Sequence, residues 1–167
     1  MTRPKAILIG PPGSGKTTIG TALAERLGAD FRDTDADVEA TAGKPVSEIF
    51  IDDGESRFRE LESAAVRGAL AEHDGVLALG GGAVLTSDIQ QLLGGHTVVY
   101  LQVGLSDAVK RVGLAAARPL LVLNPRSRVR ELMAERAPIY ERLASVTVAT
   151  DGRDPGDIVE EIVKALP

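Results

Sequence analysis

The 167-residue chain contains no cysteine, and aromatic residues make up only 3% of it. The absence of cysteine excludes disulfides and thiolate chemistry. With so few aromatic residues, the core has to be built mainly from leucine, valine, isoleucine and alanine. The chain also lacks an excess of basic residues, since its formal net charge is −5. A surface without a basic excess does not attract nucleic acid by bulk electrostatics, so we expect no nucleic-acid partner.

Long hydrophobic runs are absent as well. The first residues, 1–5, lack the apolar stretch of a secretion signal, and the apolar run at 6–9 is too short to span a bilayer. We therefore expect a soluble cytoplasmic protein with no membrane partner. The length predicts one domain over residues 1–167, and no repeat or linker divides it. No exposed apolar heptad or long edge strand favours assembly, so we expect a monomer.

Strand-like apolar runs alternate with helical patterns along the whole chain. Such alternation predicts an α/β fold with three layers, in which helices cover both faces of a parallel sheet of about five strands. The predicted strands are 6–9, 31–33, 76–79, 97–101 and 146–149, and the predicted helices are 17–27, 35–41, 46–50, 55–72, 87–92, 106–114, 126–143 and 155–165. Ligands of such sheets bind beyond the carboxyl ends of the strands, so chemistry is expected just after each strand.

The segment Gly10–Thr17 reads GPPGSGKT, which matches the phosphate-loop pattern G-x-x-x-x-G-K-[ST] without a mismatch. It follows a predicted buried strand and opens a predicted helix, so backbone N–H groups and the helix dipole converge on one point. Lys16 would reach the β- and γ-phosphates, and the Thr17 hydroxyl would hold Mg²⁺. A glycine-rich turn without a ligand is the alternative. The pattern and its flanks favour binding of a nucleoside triphosphate.

Two carboxylates, Asp33 and Asp35, follow the second predicted strand. They could face the phosphate loop together, one holding Mg²⁺ or its water and the other an acceptor hydroxyl. Alternatively, Asp33 or Thr34 only caps the next helix, and spacing alone does not separate the two interpretations. No aspartate ends the third strand, where phosphate-loop enzymes usually have a second metal carboxylate, so Asp33 is the better candidate for that role.

Three glycines, Gly80, Gly81 and Gly82, directly follow the third predicted strand. They remove side chains where a substrate would approach and leave N–H groups as donors, although a flexible turn is the alternative. On the helix predicted at 55–72, Arg59 and Glu62 are three residues apart. They form either a surface ion pair or a guanidinium clamp on a substrate carboxylate. Helical phase favours Arg59 over Arg57 for this clamp.

The segment from 114 to 130 is the least regular and carries several arginines. It predicts a lid that closes over the nucleotide, or else an exposed connection with solvated arginines. Farther along, Pro138 interrupts a helical pattern two residues after Arg136. A proline at this position predicts that the helix bends or restarts there, which would aim Arg136 in a defined direction.

Together these segments resemble one family, shikimate kinase. They occur in the same order as in that family and cover nearly the whole chain. The resemblance rests on GPPGSGKT at 10–17, DTD at 33–35, GKPVSEIF at 43–50, GESRFRELE at 54–62, GGGAV at 80–84, ARPLL at 117–121 and ERAPIY at 135–140. It implies the phosphate-loop fold of the nucleoside monophosphate kinases. It also implies transfer of the γ-phosphate of ATP to the 3-hydroxyl of shikimate, with Mg²⁺, in aromatic amino-acid biosynthesis.

The resemblance also implies roles for individual residues. Lys16, Asp35 and Arg118 would be catalytic, and Thr17 and Asp33 would hold the metal. The residues implied for ATP are Gly13, Ser14, Gly15, Lys16, Thr17, Thr18, Arg111, Arg118, Arg153 and Pro155. Those implied for shikimate are Asp35, Arg59, Glu62, Gly80, Gly81, Gly82, Arg136, Phe50, Phe58, Pro119 and Leu120, with Val46 also in the apolar wall. The substrate-binding region would be about 34–62, and the lid about 113–125.

Three other functions stay open at this point. A small-molecule kinase such as a gluconate kinase would share the loop and lid but would not need two arginines for a carboxylate. A nucleoside monophosphate kinase would need a base-reading segment, and no segment here resembles one. A non-catalytic nucleotide-binding module would keep the loop without the remaining residues.

Overall fold

The computed structural model describes residues 3–11, 13–104 and 125–167, with the side chains of 125–129 and 132 excepted. Its sheet has five parallel strands in the order β2-β3-β1-β4-β5. The strands are β1 (Ala6–Ile9), β2 (Phe31–Asp33), β3 (Val76–Ala78), β4 (Val98–Gln102) and β5 (Val146–Ala149). The register pairs Ile7 of β1 with Leu77 of β3 and with Val98 of β4.

Helices connect the strands wherever the chain is described. They are α1 (Lys16–Leu27), α2 (Thr34–Ala42), α3 (Val46–Asp52), α4 (Gly54–Glu72), α5 (Ser87–Leu92), α6 (Pro125–Leu143) and α7 (Pro155–Ala165). A short 3-10 turn, Ala83–Leu85, follows the glycine triplet. None of the helices in these ranges combines the length and the apolar character that crossing a bilayer requires.

Both faces of the sheet are buried, because side chains alternate between them along each strand. On one face, Leu8, Val99 and Val148 pack in a core to which α1 and α7 contribute. On the other, Ile7, Leu77 and Tyr100 pack in a core to which α4, α5 and α6 contribute. The members of this second core from the helices are Val66, Ala69, Ile89 and Tyr140. The predicted three-layer fold is confirmed.

A smaller core joins α2, α3 and α4 beyond the sheet. It contains Val38, Ile49 and Phe58, with Val46 at its edge. The Glu39 carboxylate accepts a hydrogen bond of 2.8 Å from the backbone N–H of Val46. This bond occupies one of the donors that the start of α3 leaves without an intrahelical partner. The core and the cap fix these three helices beside the carboxyl end of β2.

Most element bounds match the sequence predictions within two residues, and the differences are small. Strand β3 ends at Ala78 rather than one residue later, and β4 is shifted by one residue toward the C-terminus. Helix α6 runs through Pro138 as one helix, in agreement with the helix predicted at 126–143, and of the two alternatives at Pro138, a bend or a restart, the restart does not occur. Its long packed face outweighs the one hydrogen bond that proline removes. The helix predicted at 106–114 lies outside the described residues.

The strand order determines the layout of the carboxyl edge of the sheet. Strand β1, which carries the phosphate loop, is central. The ends of β3 and β2 lie on one side of it, and the ends of β4 and β5 lie on the other. Two separate sets of loops therefore flank the phosphate loop.

Candidate active site

The phosphate loop has the backbone conformation that its glycines permit. Gly13 and Gly15 have φ angles of 80° and 92°, which side-chain-bearing residues rarely adopt. Gly15 is the N-cap of α1 and supplies no capping side chain. The first-turn N–H groups of α1 are therefore suited to an anion, toward which the helix dipole also points its positive end.

The Lys16 ammonium lies over this loop. Its Nζ donates to the carbonyl of Gly10 at 2.7 Å and to that of Pro11 at 3.0 Å. The buried Ser14 hydroxyl is 3.4 Å away. Thr17 and Thr18 follow on the first turn of α1 and are exposed. The loop thus presents one cation and two hydroxyls around the start of the helix.

A cavity of about 220 Å³ opens beside the loop, on the β5 side. It is lined by Ser14, Gly15, Thr18, Ile19, Thr150, Arg153, Pro155 and Ile158. Two contacts hold Arg153 at its rim: Nη1 donates to the carbonyl of Ala149 at 2.8 Å, and Nη2 lies 2.8 Å from Glu161 Oε1. Five residues predicted for ATP, namely Ser14, Gly15, Thr18, Arg153 and Pro155, thus surround one cavity.

On the opposite side, Asp33 and Asp35 follow β2. The Asp33 carboxylate accepts a 2.8 Å hydrogen bond from the backbone N–H of Asp35 and is the N-cap of α2. The capping interpretation therefore holds for Asp33. A carboxylate has further acceptor positions, so capping does not exclude a second role. Asp35, in the first turn of α2, points toward the end of β3.

The glycine triplet forms a buried floor against which charged side chains pack. A Cβ on Gly80 would lie 2.6 Å from Asp35 Oδ1 and 2.9 Å from Glu62 Oε2. One on Gly82 would lie 2.5 Å from Arg59 Nη2. A methyl group at either position would displace these charged groups from where they lie, so the missing Cβ atoms are what lets them pack against the end of β3.

Arg59 and Glu62 form an ion pair on α4, with 2.7 Å between Nη1 and Oε1. The Glu62 side chain is fully buried, whereas 18% of the Arg59 side chain is exposed. The guanidinium compensates a buried carboxylate that would otherwise be costly, while keeping an accessible edge. Arg57 pairs instead with Glu60 among exposed side chains, as helical phase predicts.

The two phenylalanines of the predicted apolar wall occupy different depths. Their ring centroids are 4.7 Å apart, and the Arg59 guanidinium carbon lies 5.2 Å from the Phe58 centroid. Phe58 is fully buried in the small core, whereas Phe50 is partly exposed. Phe58 therefore packs against both Phe50 and the Arg59 guanidinium from the buried side. Of the two phenylalanines, Phe50 is the one with accessible surface.

Helix α6 brings Arg136 to the same region, with 6% of the residue exposed. One turn later, the Tyr140 hydroxyl donates a 2.5 Å hydrogen bond to the carbonyl of Gly81. The Tyr140 ring stacks on Tyr100 at 5.1 Å between centroids. Burial, and secondarily Glu141, raise the pKa of Tyr100. The sequence interpretation assigned Tyr140 no role, although its spacing of four from Arg136 on one helix was a usable signal.

The structure thus brings the predicted residues into two groups beside the phosphate loop. The acceptor-side group combines Asp35, Arg59 and Glu62 around the glycine floor, with Arg136 one helical turn before the Tyr140 that contacts Gly81, and the other group surrounds the cavity at Arg153. Arg111, Arg118, Pro119, Leu120 and nearly all of the predicted lid, 113–125, lie outside the described residues.

Three comparisons bear on this arrangement. The family model described as Shikimate kinase matches residues 12–167. A protein named Shikimate kinase from Salinispora arenicola is 60% identical over 98% of each chain. Among solved structures, shikimate kinase from Acinetobacter baumannii in complex with shikimate superposes with a TM-score of 0.92 at 34% identity, covering 98% of this chain and 92% of the other. A gluconokinase from Sinorhizobium meliloti reaches a TM-score of 0.57 at 22% identity, over 96% of this chain and 89% of the other, and shares the fold alone.

Proposed function

The chain belongs to the shikimate kinase family, and from this we propose how its residues transfer the γ-phosphoryl group of ATP to the 3-hydroxyl of shikimate. The enzyme is an ATP-dependent kinase whose products are shikimate 3-phosphate and ADP. The observation that carries the residue assignment is the glycine floor. It packs Asp35 and the Arg59–Glu62 pair side by side at the end of β3, next to the phosphate loop.

The phosphate loop holds the nucleotide. The Lys16 ammonium lies over the loop, where it donates to two loop carbonyls, and it would exchange these contacts for the β- and γ-phosphates when ATP binds. The N-terminus of α1 adds N–H groups and positive dipole potential. Phosphoryl transfer has a loose transition state, so this neutralisation and alignment supply most of the catalysis.

The acceptor-side residues bind two kinds of group on shikimate, its carboxylate and its hydroxyls. Arg59, fixed by Glu62, offers its accessible edge to the carboxylate, and Arg136 approaches from α6. A planar guanidinium fork matches a carboxylate better than an ammonium does. Asp35 hydrogen-bonds the attacking hydroxyl and orients it toward the γ-phosphate. Because the transition state is loose, orientation is most of what Asp35 needs to supply.

Mg²⁺ fits the donors at the phosphate loop. Thr17 exposes a hydroxyl on the first turn of α1, and Asp33 supplies a carboxylate at the end of β2, on the other side of β3 from β1. Within the described ranges no group of three or more acidic or histidine side chains could hold a metal. Mg²⁺ does not need such a group, because nucleotide sites bind it through one or two protein oxygens, phosphates and water. When bound, the ion neutralises phosphate charge.

The adenine is placed in the cavity beside Arg153 and Pro155, with Arg111 on the other side of the ring. We place Arg118 in a lid of about residues 113–125, over the transferring phosphate, with Pro119 and Leu120 completing the apolar wall around Phe50. We also propose that the enzyme is a monomer. The cytoplasm, where ATP is made available, is the proposed location.

The test is ADP release measured in a coupled assay with four acceptor conditions: shikimate, gluconate, a set of nucleoside monophosphates, and no acceptor. We expect stimulation by shikimate alone. Stimulation by gluconate would favour the other small-molecule kinase, and the same rate in all conditions would indicate a nucleotide-binding module. Either result would contradict the proposal.

A further inference from the structure

The hydroxyl of Tyr140 connects helix α6 to the glycine floor. It donates to the carbonyl of Gly81 at 2.5 Å, and the residue is only 1% exposed. Gly81 lies between Gly80, which faces Asp35 and Glu62, and Gly82, which faces Arg59. The hydrogen bond from Tyr140 therefore reaches the middle residue of the glycine floor.

This hydrogen bond also fixes a peptide plane. The carbonyl of Gly81 and the N–H of Gly82 belong to one planar trans peptide, so they point in opposite directions. By holding the carbonyl toward α6, Tyr140 aims the N–H of Gly82 away from that helix. The carbonyls of Gly80 and Gly82 accept from the N–H groups of Ala83 and Leu85, each at 3.1 Å. All three floor carbonyls are thus held by the protein.

The same bond ties down the helix that carries Arg136. Tyr140 and Arg136 are four residues apart on one helix, so they share a face of α6. A second, exposed connection ties α6 to the turn after the floor, because Arg142 donates to the Gln90 side chain and Gln90 donates to the carbonyl of Val84. Along α6, the buried contact at Tyr140 is closer to Arg136 than the contact at Arg142 is.

We propose that Tyr140 is a positioning residue for the acceptor: its hydroxyl holds the Gly81–Gly82 peptide and fixes the turn of α6 that carries Arg136 against the glycine floor. The inference rests on the proposed function, in which Arg136 binds the shikimate carboxylate. Tyr140 itself touches neither the carboxylate nor the reacting atoms.

The test variant is Tyr140→Phe, which keeps the ring and its stack on Tyr100 but cannot donate. We expect the KM for shikimate to rise roughly tenfold, because the Gly81–Gly82 peptide and Arg136 are then less well pre-organised for the acceptor. The KM for ATP should stay within about twofold, since the cavity at Arg153 lies across the sheet. The matched control is Tyr100→Phe, which removes a hydroxyl from the same stack. No hydrogen bond of that hydroxyl is found within the described ranges, so both KM values should stay unchanged.

A double-mutant cycle separates positioning from a general structural role. In an Arg136→Ala background, Tyr140→Phe should raise the KM for shikimate by less than about threefold, because the residue through which it acts is absent. Thermal unfolding verifies that each variant is folded. Should Tyr140→Phe not fold, Tyr140→4-fluorophenylalanine provides a ring of similar size that cannot donate.

Three results would overturn the inference: an unchanged KM for shikimate in Tyr140→Phe, a parallel rise in both KM values, or an undiminished effect without Arg136. In each case the wild type would still respond to shikimate, so the proposed function would stand. A wild type that does not respond to shikimate would contradict both.

Discussion

Gly80 and Gly82 determine how closely charged side chains approach the edge of the sheet. The sequence predicted that the triplet removes side chains near a substrate. It could not predict that Gly80 faces Asp35 and Glu62 while Gly82 faces Arg59, because those contacts depend on the packing of α2 and α4 against β3. The local sequence determines where a glycine leaves out a side chain. Tertiary packing determines which other side chains occupy the space that the missing Cβ leaves.

Gly82→Ala should weaken shikimate binding, since its Cβ would lie 2.5 Å from Arg59 Nη2 and displace the guanidinium. We expect the KM for shikimate to rise about tenfold or more, with the KM for ATP unchanged. The control is Gly68→Ala on α4, where a Cβ meets nothing within 4 Å. That control should keep both KM values and raise the free energy of unfolding by about 0.5–1 kcal/mol. Wild-type kinetics for Gly82→Ala would contradict this contact.

Lys16 is proposed to hold the β- and γ-phosphates of ATP. Lys16→Ala should lower turnover by roughly 10²–10³-fold or more, because it removes a cation that would neutralise the transferring group. Lys44→Ala is the control, since Lys44 pairs with Asp52 and Asp53 at the surface of the α2–α3 region. Activity preserved in Lys16→Ala would remove the phosphate-loop assignment.

At the scale of elements, α7 offers a matched pair of carboxylates. Glu161 lies 2.8 Å from Arg153, which borders the nucleotide cavity, and Glu160 lies 2.8 Å from Arg26 on α1. Both pairs are partly exposed, so the effects are small. Glu161→Gln should raise the KM for ATP about two- to fivefold, whereas Glu160→Gln should leave it unchanged. Equal effects of the two variants would mean that the orientation of Arg153 does not matter for ATP.

Element existence and type were predictable from periodicity, but two details were not. The continuity of α6 through Pro138 depends on tertiary contacts of its face, such as Tyr140 against Gly81. The assignment of Asp33 as the cap of α2 was one of two readings that spacing alone left open. The proposed dependence of Arg136 on Tyr140 was not predictable either, because it rests on a contact between α6 and the glycine floor that only the three-dimensional structure shows.

At the scale of the whole molecule, strand order organises the site. The sequence predicted parallel strands and their approximate bounds. The order β2-β3-β1-β4-β5 is a property of packing, and no single segment encodes it. This order puts the residues proposed for the acceptor on one side of β1 and the cavity proposed for the nucleotide on the other. A γ-phosphate held by the phosphate loop would then lie between the two, within reach of the acceptor hydroxyl.

Stability should depend on pH through His96, just before β4 and far from the carboxyl edge. Burial, and secondarily Arg3, lower the pKa of this imidazole from 6.5. The folded state therefore favours the neutral ring. This contribution is complete above the unfolded pKa of 6.5 and is lost as the pH falls through the lower folded pKa. Urea unfolding at about pH 8 and about pH 5 should show a larger loss in the wild type than in His96→Gln. Equal losses would contradict the assignment.

The central claim is that the acceptor side recognises a carboxylate through Arg59 and Arg136. The most direct measurement compares kcat/KM of the wild-type enzyme for shikimate and for shikimate methyl ester, which keeps the hydroxyls but lacks the charge. Removing one partner of a buried charge-assisted contact costs roughly 2–5 kcal/mol, so the ester should be poorer by about 30-fold or more. Equal use of the acid and the ester would contradict the account.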